Sequence, residues 1–315
     1  MQSIIGISKD KHRSLFVDKK RYEKPDTAFV FGRDLLDNKV TWSHAGSIPK
    51  LIHQTWKNDL MPSRWKQYFD GWAEHHPDFV HVLWTDEDNE ELVRAKCNEF
   101  LDSYSWLPLM IQKTDFVRLM YLYYFGGIYT DLDYECFNNL LPHLPQLQGV
   151  MLVESPLTFT EITQNSLMIA EPGHPYVYSA MQLISEIIQD MKDQQGSKYP
   201  FKHLFQNLFV GKMLHTLSTL FITGPAVLDK AYVRAHLTNR QASRVGQVTL
   251  LPHAKFYEGT VAKHHHNGSW FDGEKLLQMF FIVIGLTVTA IILTCVLSTF
   301  FSTKAVLKKK LVQRF

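Results

Sequence analysis

Apolar and polar positions alternate along the chain in blocks that predict a set of strands and helices. From Phe116 to Phe125 nearly every residue is apolar or aromatic. Charge falls in this stretch at Asp115 and Arg118, which lie at i and i+3 on one face of a helix. Gly126-Gly127 ends that helix, since glycine tolerates the positive φ a turn requires. Ile128-Tyr129-Thr130 then reads as a short buried strand running into Asp131-Leu132-Asp133. Further apolar runs predict strands at Ile48–Trp56, Phe79–Trp84, Gly149–Glu154, Gln164–Ala170 and Val248–Tyr257. Helical spacing of Trp65, Tyr68, Phe69 and Trp72 predicts a core-facing helix over Pro62–His76. Asp88–Phe100 reads as a charged surface helix, and Pro175–Lys192 as a helix with Val177, Met181, Ile184 and Ile188 inward.

The two ends of the chain differ from this body. Residues 1–47 are weakly patterned, rich in charge between Lys9 and Lys24, and are expected to form an exposed arm. That segment has no long apolar stretch of the secretory-signal kind. Leu276 to Thr303 contains no charged residue, a run longer than the roughly 20 residues that span a bilayer. Lys304, Lys308, Lys309, Lys310 and Arg314 follow it in a basic tail, 304–315, which the positive-inside tendency places in the cytosol. The catalytic part, 48–272, is then expected on the lumenal side of one C-terminal transmembrane helix, in tension with the missing signal.

Composition narrows the picture only slightly. The 315 residues fit one large α/β domain or two small ones. A formal charge of +2 gives no electrostatic case for nucleic acid. Cys97, Cys136 and Cys295 show neither a disulfide framework nor metal-ligand spacing.

The chemistry concentrates in Asp131 and Asp133. Carboxylates at i and i+2 at a strand's end point the same way if the strand geometry continues, and they repel unless a cation neutralises them. Oxygen-ligand ions such as Mn²⁺ or Mg²⁺ do so, filling the rest of their shell with water and substrate phosphates.

The run DFVRLMYLYYFGGIYTDLD, residues 115–133, resembles the signature of the DXD sugar transferases of glycosyltransferase family 32. That family includes fungal initiating α-1,6-mannosyltransferases and the catalytic subunits of mannosyl inositolphosphorylceramide synthase. The resemblance implies a GT-A-like, Rossmann-type α/β fold over about 48–272. It implies a nucleotide-sugar donor such as GDP-mannose, and retention of anomeric configuration. Asp133 would hold the metal. Asp131 would contact ribose and sugar, or the metal through water, and Asp115 and Arg118 would hold sugar hydroxyls. Ile48-Pro-Lys-Leu-Ile-His-Gln-Thr-Trp56 is similar to the segment opening the family's nucleotide-binding half, where Trp56 either stacks on a base or packs. His53 reads as a core group. Asn165 resembles the residue facing the donor sugar, and Thr223-Gly224-Pro225 the family's T-G-P turn. His264-His265-His266-Asn267-Gly268-Ser269-Trp270 is similar to the family's H-x-x-G-S-W block, which closes over the diphosphate. Counting back from Gly268 makes His265 the best-fitting metal ligand, with His264 or His266 as its neighbour, and the resemblance puts Ser269 and Trp270 at the donor. The resemblance also implies a Golgi or ER membrane enzyme, a lipid acceptor such as inositolphosphorylceramide or a glycan, and a membrane partner subunit.

Three rivals accompany this reading. A D-x-D also opens haloacid-dehalogenase phosphatases, but those place Thr or Val where Glu135 stands here. The other two are a catalytically inactive subunit of an active transferase and a membrane-anchored glycolipid-binding module.

Overall fold

The computed structural model describes residues 22–155, 163–195, 218–238 and 248–265. The chain divides into two units, Met1–Asn267 and Gly268–Phe315, and every described residue lies in the first. The expected transmembrane run 276–303, the basic tail, His266, Ser269 and Trp270 fall outside the described residues. Among the described residues no helix is long and apolar enough to cross a membrane.

The strands are β1 (Tyr22–Glu23), β2 (Val30–Phe31), β3 (His44–Ala45), β4 (Ile48–Pro49), β5 (Leu51–Thr55), β6 (Met61–Pro62), β7 (Val80–Trp84), β8 (Gly127–Thr130), β9 (Tyr134–Cys136), β10 (Val150–Glu154), β11 (Thr163–Ala170), β12 (Val248–Leu251) and β13 (Ala262–His264). The helices are α1 (Gly32–Leu36), α2 (Ser63–His75), α3 (Asp86–Lys96), α4 (Leu101–Trp106), α5 (Met110–Tyr124), α6 (Pro175–Gln195), α7 (Pro225–Thr238) and α8 (His253–Phe256). Among the described residues, seven strands form one mixed sheet in the order β12-β10-β11-β8-β5-β7-β2. β11 alone is antiparallel to its neighbours in that sheet.

Side chains alternate between two buried faces, as the pleat requires. Leu51, Tyr129, Val150, Leu152, Met168 and Ala170 pack on one side with α5 and α6. Ile52, Ile128, Met151, Val153, Leu167 and Ile169 pack on the other with Trp72 of α2. Burial on both faces explains why these strands read as continuous apolar runs rather than alternating ones.

The break after α5 follows the expected chemistry. Gly126 and Gly127 have φ of 66° and 99°, and a Cβ on Gly127 would sit 2.6 Å from the Leu51 carbonyl oxygen. The chain can therefore reverse tightly and enter β8 beside β5. His53 of β5 locks this corner. Its Nδ1 accepts from Trp84 Nε1 at 3.1 Å and its Nε2 donates to the Gly126 carbonyl at 2.8 Å. Burial pushes its pKa down to about 4, so it is a neutral core group, as expected.

Two expectations are corrected. Residues 22–47 are not an exposed arm. β2 pairs in parallel with β7 at the sheet edge, and Leu35 of α1 enters the core. Asp70 accepts from the backbone of Asp26 and Thr27 at 3.0 Å each and tethers the segment to α2. A two-residue strand and a five-residue helix are too short to leave a periodic signal. Val248–Tyr257 is a strand only to Leu251, because Pro252 has no N–H to continue the ladder and becomes the N-cap of α8.

Candidate metal and sugar-nucleotide site

β5, β7, β8 and β2 are parallel, so their carboxyl ends share one edge of the sheet. In open α/β sheets that edge carries the ligand site. β8 delivers Asp131 there, and the Asp131 N–H donates to the Ser166 carbonyl of β11 at 2.9 Å. Because β11 is antiparallel, it brings Asn165 to the same place.

Asp115 and Arg118 leave the α5 face that the sequence marked and form a buried pair, Arg118 Nη2 to Asp115 Oδ1 at 3.0 Å. Arg118 Nη1 donates to the Asn165 carbonyl at 2.8 Å and lies 3.4 Å from Asp131 Oδ1. Its guanidinium carbon sits 4.6 Å from the centre of the Tyr129 ring. Asp115 also accepts from Asn165 Nδ2 at 3.0 Å and from Thr223 Oγ1 at 3.2 Å. Burial pushes Asp115 up to about 7; Arg118 opposes this and the Asp131 charge adds to it. The result is a rigid polar wall whose members hold one another in place.

Asp131 faces this wall on one side and a second acidic group on the other. Tyr129 Oη donates to Asp131 Oδ1 at 2.6 Å. Burial raises the Asp131 pKa, Arg118 lowers it, and the nearby Asp133 raises it again. Opposite stands His264, brought in by β13, which pairs antiparallel with β9 in the register His264 to Tyr134. His264 Nε2 is 3.1 Å from Asp133 Oδ1 and 4.0 Å from Asp131 Oδ2. Ligand atoms of Asp131, Asp133 and His264 all lie within 4.8 Å of one another. Two carboxylates and an imidazole form a donor set suited to a divalent cation. Carboxylates favour Mg²⁺ or Mn²⁺, and the ring nitrogen shifts the preference toward Mn²⁺.

The structure places His264, not His265, at this cluster. Neighbouring residues on a strand point to opposite faces, so the register that aims His264 at Asp133 turns His265 away. His265 Nε2 instead meets Glu135 Oε2 at 2.7 Å, and its ring stacks on Tyr68 with centroids 4.8 Å apart. Counting back from Gly268 could not recover this, because the pairing of β13 with β9 sets the face. Trp56 packs edge-on to Trp65 at 4.8 Å and donates to the Leu60 carbonyl at 2.9 Å. Trp56 stands just past the carboxyl end of β5. Sequence reasoning missed Thr223 as a partner of Asp115 and Tyr129 as a partner of Asp131. The signal for Tyr129 was its i, i+2 spacing on β8, which puts it on the same face as Asp131.

Residues 62–150 match the family described as glycosyltransferase sugar-binding region containing DXD motif, which bears out the resemblance seen in the sequence. This span contains Asp115, Arg118, Asp131 and Asp133. The chain is 34% identical over 149 residues to inositol phosphoceramide mannosyltransferase 3 of Schizosaccharomyces pombe, covering 47% of this chain and 40% of that protein. It is 26% identical over 259 residues to inositol phosphoceramide mannosyltransferase 1 of the same organism, covering 79% of this chain and 73% of the relative. Among solved structures, PaToxG glycosyltransferase aligns at 16% identity with a TM-score of 0.41, covering 59% of this chain and 69% of that one.

Proposed function

We propose that this chain is a metal-dependent, retaining hexosyltransferase that moves mannose from GDP-mannose to an inositolphosphorylceramide-like lipid. The observation that supports it most is the convergence of Asp131, Asp133 and His264 beside the Asp115–Arg118 wall. The names of the relatives support mannose and the lipid acceptor.

Asp131, Asp133 and His264 would hold the cation, which when bound neutralises the charge that develops on a diphosphate leaving group. Asp115 and Asn165 present a fixed acceptor and donor pair for sugar hydroxyls. Arg118 is held at each nitrogen, Nε by the Thr114 carbonyl, Nη1 by the Asn165 carbonyl beside Asp131 and Nη2 by Asp115, so its charge is fixed in direction before the donor arrives. Preorganisation of this kind removes reorganisation cost at the moment of reaction. We assign front-face displacement, with the departing phosphate taking the acceptor proton. Asp115 is bound to Arg118, Asn165 and Thr223, an arrangement that suits a holding group better than an attacking one. In this reading the run 276–303 anchors the enzyme in a Golgi membrane.

The test is incubation of the purified chain and Mn²⁺ with GDP-mannose, UDP-galactose, UDP-glucose and UDP-N-acetylglucosamine. Slow hydrolysis of GDP-mannose alone, and an α-linked product once acceptor is added, are expected. A β-linked product would overturn the retaining mechanism, and turnover of a UDP-sugar alone would overturn the donor.

A further inference from the structure

Beside the Asp115–Arg118 wall, two buried polar atoms stand without a partner. Gln112 lies on α5 three residues before Asp115, as Asp115 lies three before Arg118, so the three side chains climb one side of the helix. Gln112 is fully buried. A glutamine in the third position of a helix ordinarily bonds back to the N–H of the cap residue. Here Gln112 Nε2 instead donates to Ser218 Oγ at 3.3 Å, and its Oε1 has no hydrogen-bond partner among the described residues. Residues 218–222 are helical and carry the buried Thr219. Thr219 Oγ1 is likewise without a partner among the described residues.

The backbone fixes where these atoms lie. The N–H groups of Thr223 and Gly224 both donate to the Thr219 carbonyl, at 3.1 and 2.8 Å, which closes the short helix and sets Thr219 one turn before Thr223. Thr223 meets Asp115, and Ser218 meets Gln112. The two segments therefore run side by side in the same direction, with Thr219 at a level between Gln112 and Asp115. Arg118 stands beside Asp131, and Gln112 lies about 9 Å farther toward the start of α5. An amide oxygen only accepts, whereas a threonine hydroxyl donates or accepts. Neither is charged, so the pair suits a neutral hydroxyl, which gives one proton and receives another. A hexose joined through C1 to a diphosphate at the acidic cluster turns its opposite edge, C4 and C6, toward this end of α5.

We propose that Gln112 Oε1 and Thr219 Oγ1 bind a hydroxyl on the far edge of the donor hexose, at C4 or C6, and so take part in selecting the sugar. This rests on the chain being a sugar-nucleotide transferase, and it extends the wall one helical turn beyond Asp115. A buried water could occupy the same two atoms, and the experiment separates the two cases.

The experiment measures hydrolysis of GDP-mannose and its 2-deoxy, 4-deoxy and 6-deoxy analogues by the full chain, Gln112→Met and Thr219→Val. Wild type is expected to disfavour the 4-deoxy or the 6-deoxy sugar by roughly tenfold or more in kcat/KM. Gln112→Met should turn over GDP-mannose about tenfold less well and narrow that gap to within a few-fold, because the group that met the missing hydroxyl is gone. Thr219→Val should narrow the gap for the same analogue. The penalty for the 2-deoxy sugar, whose change lies beside C1, should stay at its wild-type value in both variants. Mn²⁺ affinity and the urea midpoint of Gln112→Met should also hold, since the substitution removes an unpaired buried oxygen. If wild type accepts the 4-deoxy and 6-deoxy sugars as well as GDP-mannose, or both variants keep the wild-type ratios, the assignment is wrong. An equal loss with all four substrates together with a lower urea midpoint would make the pair a structural water site and would also overturn it. If wild type turns over no sugar nucleotide at all, it is the transferase reading that fails.

Discussion

The two halves of the site are built on opposite principles. Asp115 and Arg118 are tied into the protein by an ion pair at 3.0 Å, an amide, a hydroxyl and a main-chain carbonyl. Around Asp133, two carboxylates and one imidazole are drawn together within 4.8 Å. The first half is a finished structure that presents fixed polar edges. The second gathers acceptor groups whose mutual repulsion a cation relieves. Asp131 joins them, facing Arg118 at 3.4 Å and His264 at 4.0 Å. Removing a residue from the first half should therefore damage the fold, whereas removing one from the second should damage binding and leave the fold alone.

Replacing Arg118 by Ala leaves Asp115 buried without its cation. Breaking a buried pair on one side costs about 3–5 kcal/mol, so urea unfolding should show a loss of that size, together with lost transfer. If stability held while activity vanished, the wall would not be the rigid element described. Asp133→Ala should show the reverse. Turnover should fall about a hundred- to a thousandfold, while the unfolding midpoint moves little. A large drop in stability here would erase the contrast.

Acidification probes the corner behind the wall. His53 titrates at about 4 in the fold and near 6.5 when unfolded. The unfolded chain therefore takes up the proton first. The stability this group contributes is complete above pH 6.5 and is lost as pH falls from there toward 4. The loss is about 3 kcal/mol for His53, and His76 and His81, held down by burial to about 4 and about 3, act in the same direction. Asp115, pushed up to about 7 by burial, works in the opposite direction, so the check compares the change in urea stability from pH 7 to pH 5 in wild type and in His53→Gln; an equal change in the two would contradict a buried neutral imidazole at position 53. The smallest effect belongs to Thr223→Val, which removes one donor to Asp115. We expect about 1–2 kcal/mol of destabilisation and a rise in KM, with kcat nearly kept.

What could be read from the sequence divides along physical lines. The helix over Asp115 and Arg118, the Gly126-Gly127 reversal and the strand into Asp131 are local events, coded by spacing and backbone permissiveness. Two-sided burial made β5, β7, β8, β10 and β11 visible as apolar runs. The sequence marked the histidine run 264–266 but not which member meets the cluster, because that depends on the pairing of β13 with β9, residues about 130 apart in sequence. Thr223 was hidden for a similar reason, since its bond to Asp115 joins positions 108 apart. Residues 22–47 were misread because β2 and α1 are too short to carry a period, and their partners, β7, Asp70 of α2 and the core around Leu35, lie far off in sequence.

The most direct measurement is Mn²⁺ binding by titration calorimetry to the full chain and to His264→Gln, His265→Gln and Asp133→Ala. Asp133→Ala should abolish binding, and His264→Gln should weaken it about 10- to 100-fold. His265→Gln should leave it within a few-fold of wild type. Equal binding by wild type and Asp133→Ala, or a larger loss from His265→Gln than from His264→Gln, would contradict a cation held by Asp131, Asp133 and His264.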